Sequence, residues 1–175
     1  RISLSNNDGG NTGNTVFGYK AFSDADGLFP GDVGADYNVA IGHQAMGTGD
    51  ITTATYNTAI GYKTLEDITD GDFNTAIGSG AGGGLTDGVR NTFIGQAAGE
   101  TSTSITYAVG IGGGAIGGAV ATALAIGTVA VGYAALAALT SGANNVAVGY
   151  NALLVNQTGG YNTAVGNTAL DACTG

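Results

Sequence analysis

The 175-residue chain contains no tryptophan, one proline, one cysteine, one histidine and four basic residues, and each shortage closes a class of function. A lone cysteine, Cys173, can form neither an internal disulfide nor a thiolate metal cluster, which leaves a free or interchain thiol. The lone histidine, His43, stands in a repeat position filled elsewhere by Tyr, Ser, Gln, Gly or Asn, so it reads as a repeat variant rather than a base or ligand. A Ser-His-Asp arrangement could be assembled only around that residue, and no spacing recommends it. The chain is therefore expected not to be an enzyme and to need no cofactor. Four bases against 13 acids give a formal net charge of -9, a poor basis for gripping nucleic acid or anionic lipid. Between Glu100 and Asp171 there is no charged side chain at all. An exposed monomer would carry that stretch as a solubility liability, so part of it is expected to be covered by sister chains.

Long hydrophobic runs are nearly absent as well. Ala115 to Leu139 is long enough to cross a bilayer, but Gly117, Gly118, Gly127 and Gly132 interrupt it and a repeat runs through it, so no membrane insertion is expected. No signal peptide is visible. The chain begins at Arg1 and ends inside a repeat unit without a cap, which is expected of an excerpt from a longer fibre or of ends covered by neighbours. Leu, Ile, Val and Phe together make up about 22% of residues, close to the level at which an ordinary core becomes doubtful.

What the chain has is glycine, 34 residues of it, arranged with a period. Nine times a β-branched residue, a small or apolar residue and an Ile, Val or Phe precede a glycine, at Gly18, Gly42, Gly61, Gly78, Gly95, Gly112, Gly132, Gly149 and Gly166. Successive anchors are 24, 19, 17, 17, 17, 20, 17 and 17 residues apart, so the unit is 17 residues with three lengthened connections. Asn stands four before the anchor in seven units, the exceptions being Ala108 and Thr128, and Ala stands three after it in all but the unit carrying Thr64. The eight tyrosines occupy two positions: Tyr37, Tyr56, Tyr107 and Tyr161 five before an anchor, and Tyr19, Tyr62, Tyr133 and Tyr150 directly after one. Units this short must stack on one another to bury anything.

Alternation along an extended segment places Tyr, Thr or Val, Ile or Val, Tyr and Ala on one face, and Asn, Ala and Gly on the other. The bulkier face is expected to line the coil interior, and the small one to make a tight contact between chains. Each unit is expected to hold two strands of about five residues and two turns, with copies roughly 4.8 Å apart. The predicted fold is all-β: a parallel β-solenoid, or β-roll, of about nine coils over residues 14–172. Residues 1–13 form a lead-in and 173–175 the start of a further connection. Asn57, Asn74 and Asn162 would lie above their equivalents and bond along the stack, or else simply initiate turns. Thr58, Ile60, Gly61, Ile77, Gly78, Val165 and Gly166 are the matching structural positions.

Two features could be mistaken for sites. Val109-Gly110-Ile111-Gly112-Gly113-Gly114-Ala115 satisfies a dinucleotide fingerprint, but no acid lies about 20 residues on and no amphipathic helix follows. Asp24, Asp26, Asp32 and Asp36 cluster around Pro30, and Asp67, Asp70 and Asp72 in another connection. They are weak Ca²⁺ candidates, since their spacing matches neither an EF-hand nor the glycine-rich nonapeptide, and solvated acidic turns are the simpler reading. The longest insertion, Ser23 to Tyr37 with Asp24, Asp26, Phe29, Pro30 and Asp32, is the candidate contact loop, because recognition residues concentrate on loops held by a rigid scaffold.

Units such as Asn57-Thr58-Ala59-Ile60-Gly61-Tyr62-Lys63-Thr64-Leu65 and Asn162-Thr163-Ala164-Val165-Gly166-Asn167-Thr168-Ala169-Leu170 resemble the head repeats of trimeric autotransporter adhesins and similar repeats of phage tail fibres. Over residues 14–172 the resemblance implies a left-handed β-roll homotrimer, extracellular on a virion or cell surface, that spaces or displays a receptor- or glycan-binding tip. These units are longer and less regular than most adhesin heads. The function expected is a structural and adhesive fibre segment, shaft or head. Two alternatives are a self-assembling extracellular filament subunit and a sugar- or ice-binding solenoid, the latter disfavoured because the Thr rows alternate with Val and share the face of the apolar Ile rows, which is expected to be buried.

Overall fold

The computed structural model describes residues 4–5, 12–23 and 34–172. Each anchor glycine follows a three-residue strand: β2 Thr15–Phe17, β3 Val39–Ile41, β4 Thr58–Ile60, β5 Thr75–Ile77, β6 Thr92–Ile94, β7 Val109–Ile111, β8 Val129–Val131, β9 Val146–Val148 and β10 Thr163–Val165. These nine pair in parallel, in sequence order, in one sheet, and β1 (Leu4–Ser5) adds antiparallel to β2. Register is kept throughout, with Thr58, Ala59 and Ile60 opposite Thr75, Ala76 and Ile77. The chain is a β-solenoid, and the strands keep their register across the three lengthened connections.

The strands are fewer and shorter than expected, one of three residues per unit instead of two of five. Turns occupy the remainder, and they follow one rule. In all nine units the residues five before, two after and four after the anchor have positive φ, among them Tyr56, Lys63 and Leu65 at 57°, 52° and 48°. Left-handed backbone at these points bends the chain around the coil while aiming its amides along the stack. The N–H of Leu65 thus donates to Ala81 O at 3.1 Å and that of Leu136 to Ala152 O at 3.0 Å. Stacking supplies the hydrogen bonds that a strand would have made.

Burial reverses the expected sidedness. The strand centres Ala40, Ala59, Ala76, Phe93, Ala130 and Ala147 are fully buried, as are Asn38 and Asn145, with Asn57, Asn74 and Asn91 almost so. The flanking residues, Thr58 and Ile60 for example, are half-exposed or exposed. The Asn and Ala face therefore lines the interior rather than a contact between chains, and the Thr, Ile and Tyr face points out. Size decides this, not hydrophobicity, because a coil this narrow admits only a small side chain from the strand. Bulk enters from the turns instead, through Met46, Leu65, Ile116, Leu136 and Leu153 four after the anchors. Ala at three after the anchor is also interior, because the turn breaks the alternation at the glycine. The anchor itself has φ between 127° and 144°, and a Cβ at Gly61 would lie 2.6 Å from Gly78 O. The close backbone approach anticipated at the small face exists, but to the next coil of the same chain.

One exception to the alanine column shows how tightly the interior is matched. Phe93 takes a strand-centre position, and Gly82 and Gly99 leave empty the turn positions normally held by Leu or Met. A Cβ at Gly99 would sit 2.6 Å from Phe93 Cε1 and one at Gly82 3.2 Å from Phe93 Cδ2. One large ring fills the space of missing side chains in neighbouring turns, as close packing requires.

The asparagines form a ladder. Asn57 Oδ1 accepts the Asn74 backbone N–H at 2.9 Å, and Asn57 Nδ2 donates to Gly71 O at 2.7 Å. The same pair of bonds joins Asn74 to Asn91 N and Gly88 O, and Asn145 to Asn162 N and Gly159 O. Asn91 Oδ1 ends the first run on Ala108 N, where no amide side chain continues it. Thr128 substitutes weakly, its hydroxyl 3.5 Å from Gly142 O. Around this break the chain Ala115–Leu139 forms β8, turns and a short 3-10 turn, Ala123–Ala125, and among the described residues no helix is long and apolar enough to cross a membrane. The dinucleotide-like glycines lie on β7 and the turn after it, and among the described residues no α-helix follows.

Candidate contact surfaces

The outward sheet face carries two parallel rows. One is Thr58, Thr75, Thr92, Val109, Val129 and their equivalents, the other Ile60, Ile77, Ile94, Ile111, Val131 and theirs, in register from strand to strand. Eight steps of about 4.8 Å make this strip roughly 40 Å long. Ile77, Ile94 and Ile111 are 37–38% exposed although no charged side chain interrupts the strand faces. A regular, uncharged strip of this length and half-apolar make-up is of the size at which exposed surface on a monomer signals a contact.

Both margins of the strip carry stacked rings. At five before the anchor, Tyr37, Tyr56 and Phe73 stack with centroids 4.9 Å apart, and the Arg90 guanidinium continues the column 5.1 Å from Phe73 and 5.6 Å from Tyr107. At one after the anchor, His43 lies between Tyr19 and Tyr62, at 5.1 and 5.4 Å. Its role in the fold is that of a ring in this column. Ser79, Gln96 and Gly113 then interrupt the column before Tyr133 and Tyr150 resume it at 5.4 Å.

The acidic turns bind the preceding coil. Asp72 Oδ1 accepts from Thr55 N and Thr55 Oγ1 at 2.7 and 2.8 Å, Asp67 accepts from Thr48 Oγ1 at 3.1 Å, and Asp70 accepts from Thr52. Asp36 accepts from the Thr12 amide. Among the described residues no group of three or more His, Cys, Asp or Glu is placed to hold a metal ion. Asp24, Asp26, Phe29, Pro30, Asp32 and Cys173 lie outside the described residues.

Beside the lower ring column is a hollow of about 390 Å³, whose walls include Tyr62, Lys63, Glu66, Asp67, Glu100 and Thr101. Lys63 Nζ is 2.8 Å from Glu66 Oε1, and that hydrogen bond and charge hold the ammonium's pKa above its ordinary value. A smaller hollow of about 230 Å³ lies beside Tyr133 and has no charged residue in its walls.

A scan against protein-family models and searches of curated proteins and of solved structures give no match to this chain. Its function has to be argued from the surfaces themselves.

Sequence reasoning found the ladders and their spacing but put the strip on the wrong side of the wall. It also passed over the hollow, although a signal was present: the unit anchored at Gly78 has glycine at positions 80, 83 and 84, where both neighbouring units carry side chains.

Proposed function

We propose that the chain is a structural and adhesive fibre segment, the shaft or head of a tail fibre or surface adhesin, in which three left-handed coils pack through their outward Thr/Val and Ile/Val rows. The observation that supports this is the strip itself. Its strand faces cover roughly 40 Å by 10 Å before the flanking rings are added, about half of the ~800 Å² per partner of a standard protein interface. It carries no charge to desolvate, and its parallel rows repeat at the same spacing on every copy, so register is maintained along the whole contact. Binding by such a rod is multivalent, and weak contacts repeated on three chains give avidity. Extracellular display, on a virion or a cell surface, follows from this role.

Native mass by light scattering during size exclusion, over a range of concentrations, tests the reading. A trimer is expected, and I77K combined with I94K should release folded monomers with an unchanged far-UV spectrum. A well-folded monomer at all concentrations overturns the trimer, and an open-ended series of masses transfers the reading to an end-to-end filament.

One observation favours a second reading. The Thr rows are displayed on the outward face, not enclosed, which removes the reason for setting aside an ice- or sugar-binding solenoid. Hydroxyls and methyls spaced regularly from strand to strand suit an ordered lattice of water. An ice-recrystallisation assay without inhibition by the native chain disposes of the ice form of this reading.

A further inference from the structure

The hollow beside Tyr62 is a missing layer of side chains. The unit below it presents Tyr62, Lys63, Glu66 and Asp67, and the unit above presents Glu100 and Thr101. Between them the unit anchored at Gly78 offers Ser79, Gly80, Gly83 and Gly84. Removing one unit's side chains from a stack that repeats every ~4.8 Å leaves a slot about one flat group thick. Its volume of about 390 Å³ falls within the range of small-ligand sites.

The slot's walls are chemically specific. Tyr62 has His43 against one face, and among the described residues no ring covers the other, because the next residue in its column is Ser79. Glu100 leans over the glycine floor, its Oε1 3.0 Å from where a Cβ at Gly80 would be, and its carboxylate makes no hydrogen bond or ion pair among the described residues. Lys63 neutralises Glu66, and its ammonium is 5.8 Å from the Tyr62 centroid. Asp67 and Glu100 then leave the slot with two uncompensated negative charges. The molecule already shows what fits such a layer. In the other ring column Arg90 occupies one unit's thickness between Phe73 and Tyr107.

We propose that the slot between Tyr62 and Glu100 is a binding site for a guanidinium group, an arginine side chain presented by a partner protein. A planar guanidinium stacks on an aromatic face and offers its edge donors to a carboxylate, whereas a compact ammonium does only the second. Tyr62 supplies the face, and Glu100 with Asp67 the acceptors.

The test is titration of the native chain with N-acetyl-arginine amide, followed by tyrosine-ring NMR shifts, with N-acetyl-lysine amide and glucosamine as comparison probes. A saturable shift with a Kd on the order of millimolar is expected for the arginine probe. Y62A should weaken it about fivefold and E100Q about threefold, the fold-changes of an exposed cation–π contact and an exposed ion pair. K63A should tighten it by removing a like charge. Ser79→Tyr extends the ring column into the slot at an exposed position that already accepts Tyr in four other units, so it should abolish binding while the far-UV spectrum and melting temperature persist. Y133A, at the uncharged hollow, should leave binding unchanged. Equal binding of the lysine probe, tighter binding of glucosamine, or unchanged affinity in S79Y overturns the proposal.

Discussion

The part of the solenoid before Glu100 and the part after it have the same register, the same left-handed turn positions and the same strip, yet they are joined by different side chains. Below Glu100 the Asn ladder runs unbroken from Asn14 to Asn91, and Asp67, Asp70 and Asp72 bond to threonines of the coil beneath. Above it there are no charges as far as Asp171, and the ladder lapses at Ala108 and Thr128 before resuming at Asn145. Leu136, Leu139 and Leu153 continue the interior where polar ties are fewer. Backbone bonds along the stack and the matched interior are therefore the shared requirement, while ladder and charge are additions. In a linear stack of this kind stability is a sum of unit and neighbour contributions, so the seam between β7 and β8 is the place where the two parts should separate first.

The most damaging way to probe the shared requirement is at an anchor. Gly149→Ala places a Cβ 2.1 Å from Gly166 O at φ 140°, whereas Gly166→Ala, at φ 134°, meets only Ala169 Cβ at 3.8 Å. The second should cost about 1–2 kcal/mol of backbone strain and the first more than about 4, so the difference in urea midpoints isolates the contact between coils. Next comes Phe93→Ala. Because Gly82, Gly99 and Gly110 offer no side chain to refill the space, a loss of about 3–5 kcal/mol is expected, localised by hydrogen exchange to the coils of β5 to β7.

The polar ladder sharpens the comparison between halves. Asn74→Ala strips the partners from Asn91 N and Gly88 O, both deep in the wall, and should cost about 2–4 kcal/mol. Thr128→Asn runs the other way. An amide there can donate to Gly142 O and accept from the Asn145 N–H, and should stabilise the seam by about 1 kcal/mol, read as slower exchange around β8. No gain would show that the ladder adds nothing once the interior is formed.

Period, anchor positions, strand locations and parallel register were legible in the sequence, since Thr58-Ala59-Ile60 and its copies announce themselves by repetition. Sidedness was not. Ile60 and Ala59 differ in hydrophobicity in the direction that places Ile inside, and only the width of the coil, which no single unit encodes, reverses the assignment. Strand length was misjudged for a related reason. Lys63 and Leu65 have no sequence signature of left-handed backbone, and Gly80, Gly82 and Gly114 hint at it only when the units are aligned. The slot beside Tyr62 was readable as a run of glycines but not as a site, because its walls come from units on either side.

Those left-handed positions give the smallest and most discriminating prediction. Ala97 and Ala134 both stand two after an anchor, with φ of 56° and 51°, one in the charged half and one in the neutral half. Gly80 and Gly114 fill the same position with φ of 69° and 67°, so the backbone there tolerates glycine. Left-handed alanine costs about 1–2 kcal/mol, and glycine gives back about 0.5–1 of that through the entropy of the unfolded chain. Ala97→Gly and Ala134→Gly should therefore each stabilise the rod by about 0.5–1 kcal/mol, measured by urea denaturation. If turn geometry alone sets the strain, the two gains will be equal despite the difference in charge around them. A larger gain at Ala134 would mean that the neutral half holds its turns less firmly, which is what a seam weakened at Ala108 and Thr128 would produce.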